Sequence, residues 1–258
     1  MSSASKPVRL RMPTCFGPAP SPRQNTSGSR WSSPLGDFSI VARSFLTDEA
    51  KLTSLLPPGA TLDGEPVVTL EFNYRSYNTL GLRFPIRLAQ HHVRGPFLTV
   101  LWENLTDPIL TGREEVGFAK LLCDLPDADT SGPSIACSAS WGGHRFVEMT
   151  VEDLATAPEP GPSDEDGMLH YYTMPRIGRP GATVAEGWVI SPPWPSVELQ
   201  SFRSGVGRFN LLPSTWQQLP TLVHIVDRRR ELPVIEDRGA FAMGLRVDAS
   251  LHNQHMLG

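Results

Sequence analysis

The chain has 258 residues, of which 40% are hydrophobic and 19% are charged, and its formal net charge is −4. This composition predicts a globular protein of one large or two small domains. The acidic balance gives no reason to expect nucleic acid as a partner, and no apolar run approaches the ~20 residues that span a bilayer. The three cysteines lack metal-ligand spacing, which favours a reduced, cytoplasmic protein without a metal site.

The N-terminal segment differs from the rest of the chain. Residues 1–30 contain Lys6 and several arginines, no acidic residue, and many Ser and Pro. This composition predicts a disordered leader over residues 1–33. A cleaved transit peptide is the alternative, although the prolines oppose the amphipathic helix that it needs. We expect a single domain over residues 34–248 and a C-terminal tail over residues 249–258.

Alternating apolar and polar residues predict many short strands. Asp37–Arg43 is the first, and Thr47–Glu49 begins a short helix that ends at Pro57–Gly59. In Val67–Arg75 the apolar side chains share one face, whereas Glu71 lies on the other. The same pattern recurs in Leu82–Ala89, Phe97–Glu103, Ser134–Ser140, His144–Val151, Leu169–Met174, Val184–Ile190, Val197–Phe202 and Val206–Leu212.

Gly and Pro separate nearly all of these segments, and long helical patterns between them are missing. We therefore predict a mainly-β (α+β) fold with a few short helices. Its antiparallel sheet is expected to be closed or partly closed as a β-barrel or cone.

Lysine is rare, and one lysine lies in apolar sequence. The chain has twenty arginines but only three lysines, which are Lys6, Lys51 and Lys120. The sequence neighbours of Lys120 include Val116, Phe118, Ala119 and Leu122. An amine is seldom placed among apolar side chains, and burial favours its neutral, nucleophilic form. Lys120 is therefore the leading candidate for covalent chemistry. The alternative is a strand-edge lysine with an apolar stem and an amine in water.

The segment around this lysine resembles the acetoacetate decarboxylase family. That family carries Gly-Arg-Glu, a short gap and then aromatic-Pro-Lys-Lys, whose first lysine forms a Schiff base. Here the segment is Gly112-Arg113-Glu114, followed by Phe118-Ala119-Lys120-Leu121. The resemblance extends over roughly residues 35–245. It implies that Lys120 is the Schiff-base lysine and that Glu71 stands where the family has its first active-site glutamate.

Several positions depart from the family pattern. Leu121 replaces the second lysine, Ala119 replaces the proline, and Leu35 stands where the family uses an arginine. The family's second glutamate has no counterpart in the shortened segment Gly81–Pro85. These differences argue against simple acetoacetate decarboxylase activity. Glu71 is predicted to handle protons if its face lines a cavity. Otherwise it is an ordinary solvent-facing strand residue.

The resemblance implies a lyase that binds a β-keto acid or related ketone as a Schiff base, without a cofactor. Decarboxylation and coupled aldol, dehydration or cyclisation chemistry, for example in secondary metabolism, are both compatible with that intermediate. The family also implies a homo-oligomer. The residues expected to contact substrate are Arg113, Glu114, Phe118, Leu121, Trp102 and Phe97. For Arg113 and Glu114 the alternative is a structural ion pair or a role in orienting the loop. The altered residues keep two alternatives open: a non-covalent binding protein, isomerase or cyclase, and a structural subunit without a small-molecule role.

Overall fold

The structure is a computed structural model that describes residues 36–114, 116–161, 163–194, 196–248 and 254–258. The predicted leader and Leu35 lie outside the described residues. The strands are β1 (Gly36–Leu46), β2 (Thr61–Leu62), β3 (Val67–Tyr74), β4 (Thr79–Leu88), β5 (Val93–Glu103), β6 (Lys120–Leu122), β7 (Ile135–Trp141), β8 (His144–Thr156), β9 (Met168–Pro175), β10 (Thr183–Ser191), β11 (Ser196–Leu211), β12 (Glu236–Asp248) and β13 (His255–Met256). The α-helices are α1 (Glu49–Thr53), α2 (Thr106–Glu114) and α3 (Val223–Arg230), and a 3-10 turn occupies Ala89–His91.

All strands belong to one sheet. Its order is β13-β10-β9-β5-β4-β3-β1-β12-β11-β8-β7, with β2 added to β4 and β6 added to β5. Most neighbours are antiparallel, but β6 and β9 each pair with β5 in parallel. The mainly-β prediction with few short helices is therefore confirmed, and the sheet is mixed rather than purely antiparallel.

The sheet curls around its main core without closing as a barrel. Trp102 on β5 packs against Phe146 on β8, with ring centres 5.6 Å apart, although these strands are far apart in the strand order. The segment after β6 approaches β7 through a single bridge between Asp124 and Ser140. The partly closed form of the prediction is the one observed.

The alternation predicted for β3 separates two faces of the sheet. Val68, Leu70 and Phe72 are buried in the main core. Glu71 and Asn73 lie on the opposite face, which we call the polar face because it also carries the ion pairs described below. A smaller apolar cluster around Phe38 lies apart from the main core.

Helices play a small part in this fold. Asp48 begins α1, since its side chain accepts a hydrogen bond from the Lys51 backbone N–H at 2.8 Å. The sequence did not predict α2, which packs over β6 and turns out to be central to the candidate site. Among the described helices, none has the length and apolar character needed to cross a membrane.

Candidate active site around Lys120

Four neighbouring strands place Glu71 and Lys120 in one row of the polar face. Glu71 on β3 pairs with Gly81 on β4, Gly81 pairs with Leu101 on β5, and Leu101 pairs with Lys120 on β6. Directly paired residues project their side chains to the same side of a sheet. Three strand spacings of about 4.8 Å separate the two backbones, so the row alone does not bring these side chains into contact.

The Lys120 side chain is buried and enclosed. Its exposed fraction is 8%, and its Nζ lies 2.8 Å from Glu103 Oε2. Nζ also donates a hydrogen bond to the Pro108 carbonyl of α2 at 3.0 Å. The rings of Phe118 and Tyr77 are next to the amine, with centres 5.4 and 5.7 Å from Nζ. The alternative of a lysine whose amine extends into bulk water is therefore wrong.

Gly112 makes room for this lysine. A Cβ at Gly112 would lie 2.6 Å from Lys120 Cε and 2.8 Å from Nζ, closer than atoms in real contacts. The next residue, Arg113, donates a hydrogen bond from its guanidinium to the Lys120 carbonyl at 2.7 Å. The Gly-Arg pair in the motif therefore has a local explanation: the glycine leaves space for the lysine tail, and the arginine fixes the lysine backbone.

Glu103 is the partner that the sequence analysis missed. It ends β5, its side chain is 0% exposed, and it lies two residues beyond Leu101, the residue paired with Lys120. Two residues along a strand is the spacing that returns to the same face. The available signal was a carboxylate at the end of the apolar run Phe97–Trp102. That carboxylate comes close to Lys120 only because β6 pairs with β5, and the sequence carries no local signal for this pairing.

Glu71 lies at the other end of the polar face and is paired with an arginine. Its Oε2 lies 2.9 Å from Arg83 Nε, and its negative charge raises the pKa of Arg83. Asn73 donates to Glu71 at 3.5 Å and to Thr79 at 3.1 Å. Thr79 is in turn the cross-strand neighbour of Glu103. A row of polar side chains thus connects the two ion pairs.

His170 on β9 lies close to the lysine but behind Phe118. Its ring centre is 4.1 Å from that of Phe118, and Nε2 forms a hydrogen bond with Ser191 Oγ at 2.9 Å. Burial, together with a smaller effect of the nearby Lys120 charge, lowers the pKa of His170 to about 3. His170 is therefore neutral near pH 7.

The other predicted contact residues fall into two groups. Phe97, Trp102 and Leu121 pack in or against the main core, on the opposite face from Lys120. Substrate contact by these three stays a prediction and is not part of the site proposed below. Glu114 ends α2, and its carbonyl accepts a hydrogen bond from the Tyr172 hydroxyl at 3.5 Å. Its contact with substrate also stays a prediction. Over the described ranges, no three His, Cys, Asp or Glu side chains are grouped as metal ligands.

The sequence profile of the acetoacetate decarboxylase (ADC) family matches residues 12–236, which is most of the chain and includes every residue of this site. The chain therefore belongs to the acetoacetate decarboxylase family. A search of curated proteins gives no match.

Solved structures show the same fold. An acetoacetate decarboxylase aligns with a TM-score of 0.69 and 16% identity, covering 88% of this chain and 90% of its own. The acetoacetate decarboxylase of Legionella pneumophila subsp. pneumophila str. Philadelphia 1 aligns with a TM-score of 0.66 and 18% identity, covering 97% of both chains. The enduracididine biosynthesis enzyme MppR, in complex with pyruvate, aligns with a TM-score of 0.62 and 17% identity, covering 92% of this chain and 96% of its own.

Proposed function

We propose that this protein is a lyase whose Lys120 forms a Schiff base with a β-keto acid or a related ketone. The observation that carries the proposal is that Lys120, in the segment that resembles the family's lysine motif, has its amine buried next to the fully buried Glu103. Membership of the acetoacetate decarboxylase family supports enzymatic activity in general. The departures at Ala119 and Leu121 leave the reaction open beyond the imine intermediate.

Glu103 is the group within reach that can take the lysine proton. Only a neutral amine attacks a carbonyl, and an adjacent carboxylate favours the ammonium form. The family's second lysine, which would oppose that effect, is Leu121 here. A proton transfer from Nζ to Glu103, over the observed 2.8 Å, converts the buried ion pair into a neutral pair. Loss of both charges reduces the desolvation cost of the site, since a low-dielectric interior penalises charged forms.

The proposed reaction then follows the chemistry of an enamine. The Lys120 nitrogen bonds to the ketone carbon, and the carbonyl oxygen leaves as water. In a β-keto acid, the bond to the carboxylate breaks, its electron pair moves toward the iminium nitrogen, and carbon dioxide leaves. Protonation of the enamine carbon and hydrolysis return the ketone and the free amine. Alternatively, the enamine adds to an aldehyde before hydrolysis.

Reductive trapping tests the proposal. The protein is incubated with a panel of keto acids and sodium borohydride, and the modified residue is identified by mass spectrometry of peptides. We expect one stable mass increment on Lys120. Lys51 is an internal control in the same sample because it is exposed on α1 and reports non-specific labelling.

A variant that removes Lys120 must also remove the charge of Glu103, so that loss of activity is not caused by a buried, unpaired carboxylate. Lys120→Met alone leaves Glu103 buried without its cation, so the matched variant is Lys120→Met with Glu103→Gln. We expect this double variant to fold and to lose trapping and turnover entirely. Equal labelling of Lys51 and Lys120, or no labelling with any keto acid, would overturn the proposal.

The Lys120–Glu103 ion pair also favours a second candidate function. A permanently charged lysine is a hydrogen-bond donor rather than a nucleophile, which suits a non-covalent isomerase, cyclase or binding protein. This second function predicts that borohydride forms no covalent adduct on Lys120, even with a ligand that binds the protein. It also predicts that Lys120→Arg, which keeps the charge but cannot form an imine, retains function.

A further inference from the structure

We infer that Arg75 binds the carboxylate of the substrate and makes the Lys120 site selective for keto acids over neutral ketones. The inference rests on the proposed function, because it assigns the group that recognises the substrate of that same site. Arg75 follows β3 directly and belongs to the turn that joins β3 to β4, together with Tyr77 and Asn78.

This turn is held firmly beside the lysine. The Asn78 side chain is buried and donates hydrogen bonds to the Leu125 carbonyl at 3.0 Å and to Asp127 at 2.8 Å. The Asn78 backbone N–H donates to Asn104 Oδ1 at 2.8 Å. Asn104 immediately follows Glu103, the partner of Lys120. The turn is therefore fixed to the same strand end that holds the catalytic ion pair.

The guanidinium of Arg75 is oriented by two aromatic rings. Its Cζ lies 4.2 Å from the ring centre of Tyr77 and 5.5 Å from that of Phe38. The guanidinium also donates a hydrogen bond to the Tyr77 hydroxyl. Aromatic faces hold an arginine by cation–π attraction, and Nη1 is a guanidinium nitrogen that is not engaged by a described residue and is left for an anion. Arg75 is thus ordered before any ligand binds.

Among the cations of the site, Arg75 is not engaged by a carboxylate of a described residue, whereas Arg113 is engaged with the Lys120 carbonyl. Arg83 is paired with Glu71, and Lys120 is paired with Glu103. Over the part of the chain that the structure describes, no carboxylate lies within ion-pair distance of Arg75, and its Nε is buried without a hydrogen-bond partner. A buried donor without a partner is costly, and arginine is suited to carboxylates because its donors match their two oxygens.

The upper limit on the distance between the two cations is compatible with a small keto acid. Lys120 Nζ and Arg75 Cζ lie 5.7 and 4.2 Å from the same ring centre of Tyr77, so they are at most about 10 Å apart. In a β-keto acid, the ketone and carboxylate carbons are separated by a single carbon. The amine would approach the ketone carbon at about 3 Å, and the carboxylate would accept a hydrogen bond from the guanidinium at about 2.8 Å. With these two contacts, a β-keto acid can bridge two cations that are up to about 10 Å apart.

Acetoacetate and methyl acetoacetate provide the test, because they share the ketone and differ in the charged carboxylate. The rate of borohydride-dependent labelling of Lys120 is measured for both probes in wild type and in Arg75→Gln. We expect the acetoacetate rate to fall about 10- to 100-fold, since charged hydrogen bonds are lost, and the methyl acetoacetate rate to stay within a factor of about three. Arg75→Lys should recover part of the loss.

The matched control is Arg87→Gln, which removes an arginine from the neighbouring strand β4 that pairs with Asp63 instead. It should leave both rates unchanged. An equal fall for both probes in Arg75→Gln, or no fall with acetoacetate, would overturn the inference. If wild type labels with neither probe, the two are replaced by a keto acid of the panel that does label Lys120 and by its methyl ester. If no keto acid of the panel labels, the proposed Schiff base fails separately. Calorimetric binding of acetoacetate then decides the role of Arg75, and unchanged affinity in Arg75→Gln contradicts it.

Discussion

Two ion pairs lie at opposite ends of the polar face and differ in what their chemistry allows. Lys120 and Glu103 are 2.8 Å apart with side chains 8% and 0% exposed, whereas Arg83 and Glu71 are 2.9 Å apart with side chains 27% and 11% exposed. The distances are nearly equal. The identity of the cation and the access of water therefore distinguish the pairs.

The difference concerns the proton. An arginine stays protonated in proteins, so the Arg83–Glu71 pair can only hold charge and position. A lysine shifts its pKa readily when buried, so in the proposed mechanism the Lys120–Glu103 pair is the one that exchanges its proton. One sheet face thus combines a fixed pair with a pair that is suited to chemistry. The following predictions test that division.

The largest expected effect is on stability when one carboxylate loses its charge. Glu103→Gln leaves Lys120 buried without compensation, and we expect the free energy of unfolding in urea to fall by about 3–5 kcal/mol. Glu71→Gln is the matched control, because its amide oxygen still accepts from the more exposed Arg83, and we expect a loss of about 1 kcal/mol. Equal losses in the two variants would remove the distinction between the pairs.

The second prediction concerns how far water is excluded from His170, at the Lys120 end of the polar face. Burial lowers the pKa of His170 to about 3, whereas the unfolded chain has a value near 6.5. The unfolded state therefore takes up a proton first, so stability present above pH 6.5 is lost as the pH falls toward 3. Relative to His170→Gln, wild type should lose about 1.4 kcal/mol per pH unit between pH 6 and pH 4.

Urea unfolding at several pH values provides this measurement, and the difference between the two proteins removes contributions from other groups. His224→Gln is the control, because His224 is exposed on α3. The free energy of unfolding of this variant should change with pH in the same way as that of wild type. If the free energy of unfolding of His170→Gln also follows wild type at every pH, water reaches this side of the site.

The third prediction concerns the space that Gly112 leaves. Gly112→Ala introduces a methyl group 2.6 Å from the Lys120 side chain, and the flexible lysine tail must move. Misplacement of a reacting group by about 1 Å costs roughly 10²-fold in rate, so we expect imine trapping to slow by about 10- to 100-fold. Thermal unfolding should change little, because the clash is with the end of a flexible side chain. Unchanged trapping would mean that the amine does not react from its observed position.

The smallest effect is expected for the kinetics of Glu71→Gln. The family resemblance predicts a proton-handling role for Glu71, but this residue is engaged with Arg83 at the far end of the polar face. If Glu103 is the proton acceptor, the rate of imine trapping should change less than about threefold in Glu71→Gln. A loss as large as that in Glu103→Gln would restore the role that the resemblance implies.

Local patterns were enough to predict much of the fold. The alternation in β3 gave the correct faces for Leu70, Glu71 and Phe72, and the acidic start of α1 gave its N-cap at Asp48. Helix α2 was missed, since Pro108 and Gly112 interrupt a helical pattern. Pro108 lies in its first turn, where proline is tolerated, and Gly112 is required by contact with a residue from another element.

The candidate site shows the same limit of sequence reasoning. The apolar surroundings and the family motif identified Lys120, but its partner depends on the parallel pairing of β5 with β6. That pairing joins segments separated by the whole of α2, and neither segment carries a local signal for it. Tertiary pairing decides which carboxylate meets the lysine, so Glu71 was predicted and Glu103 was found.

The bridge between Asp124 and Ser140 has a consequence for where the molecule can open. It is one isolated contact, and the strand leading to it, β6, has only three residues. The two halves of the curled sheet therefore meet along a seam that is held by far fewer backbone hydrogen bonds than the neighbouring ladders. Lys120 is the first residue of β6, so the strand that carries it leads directly to this seam, and amide protons of β6 should exchange with solvent before those of β3 and β4.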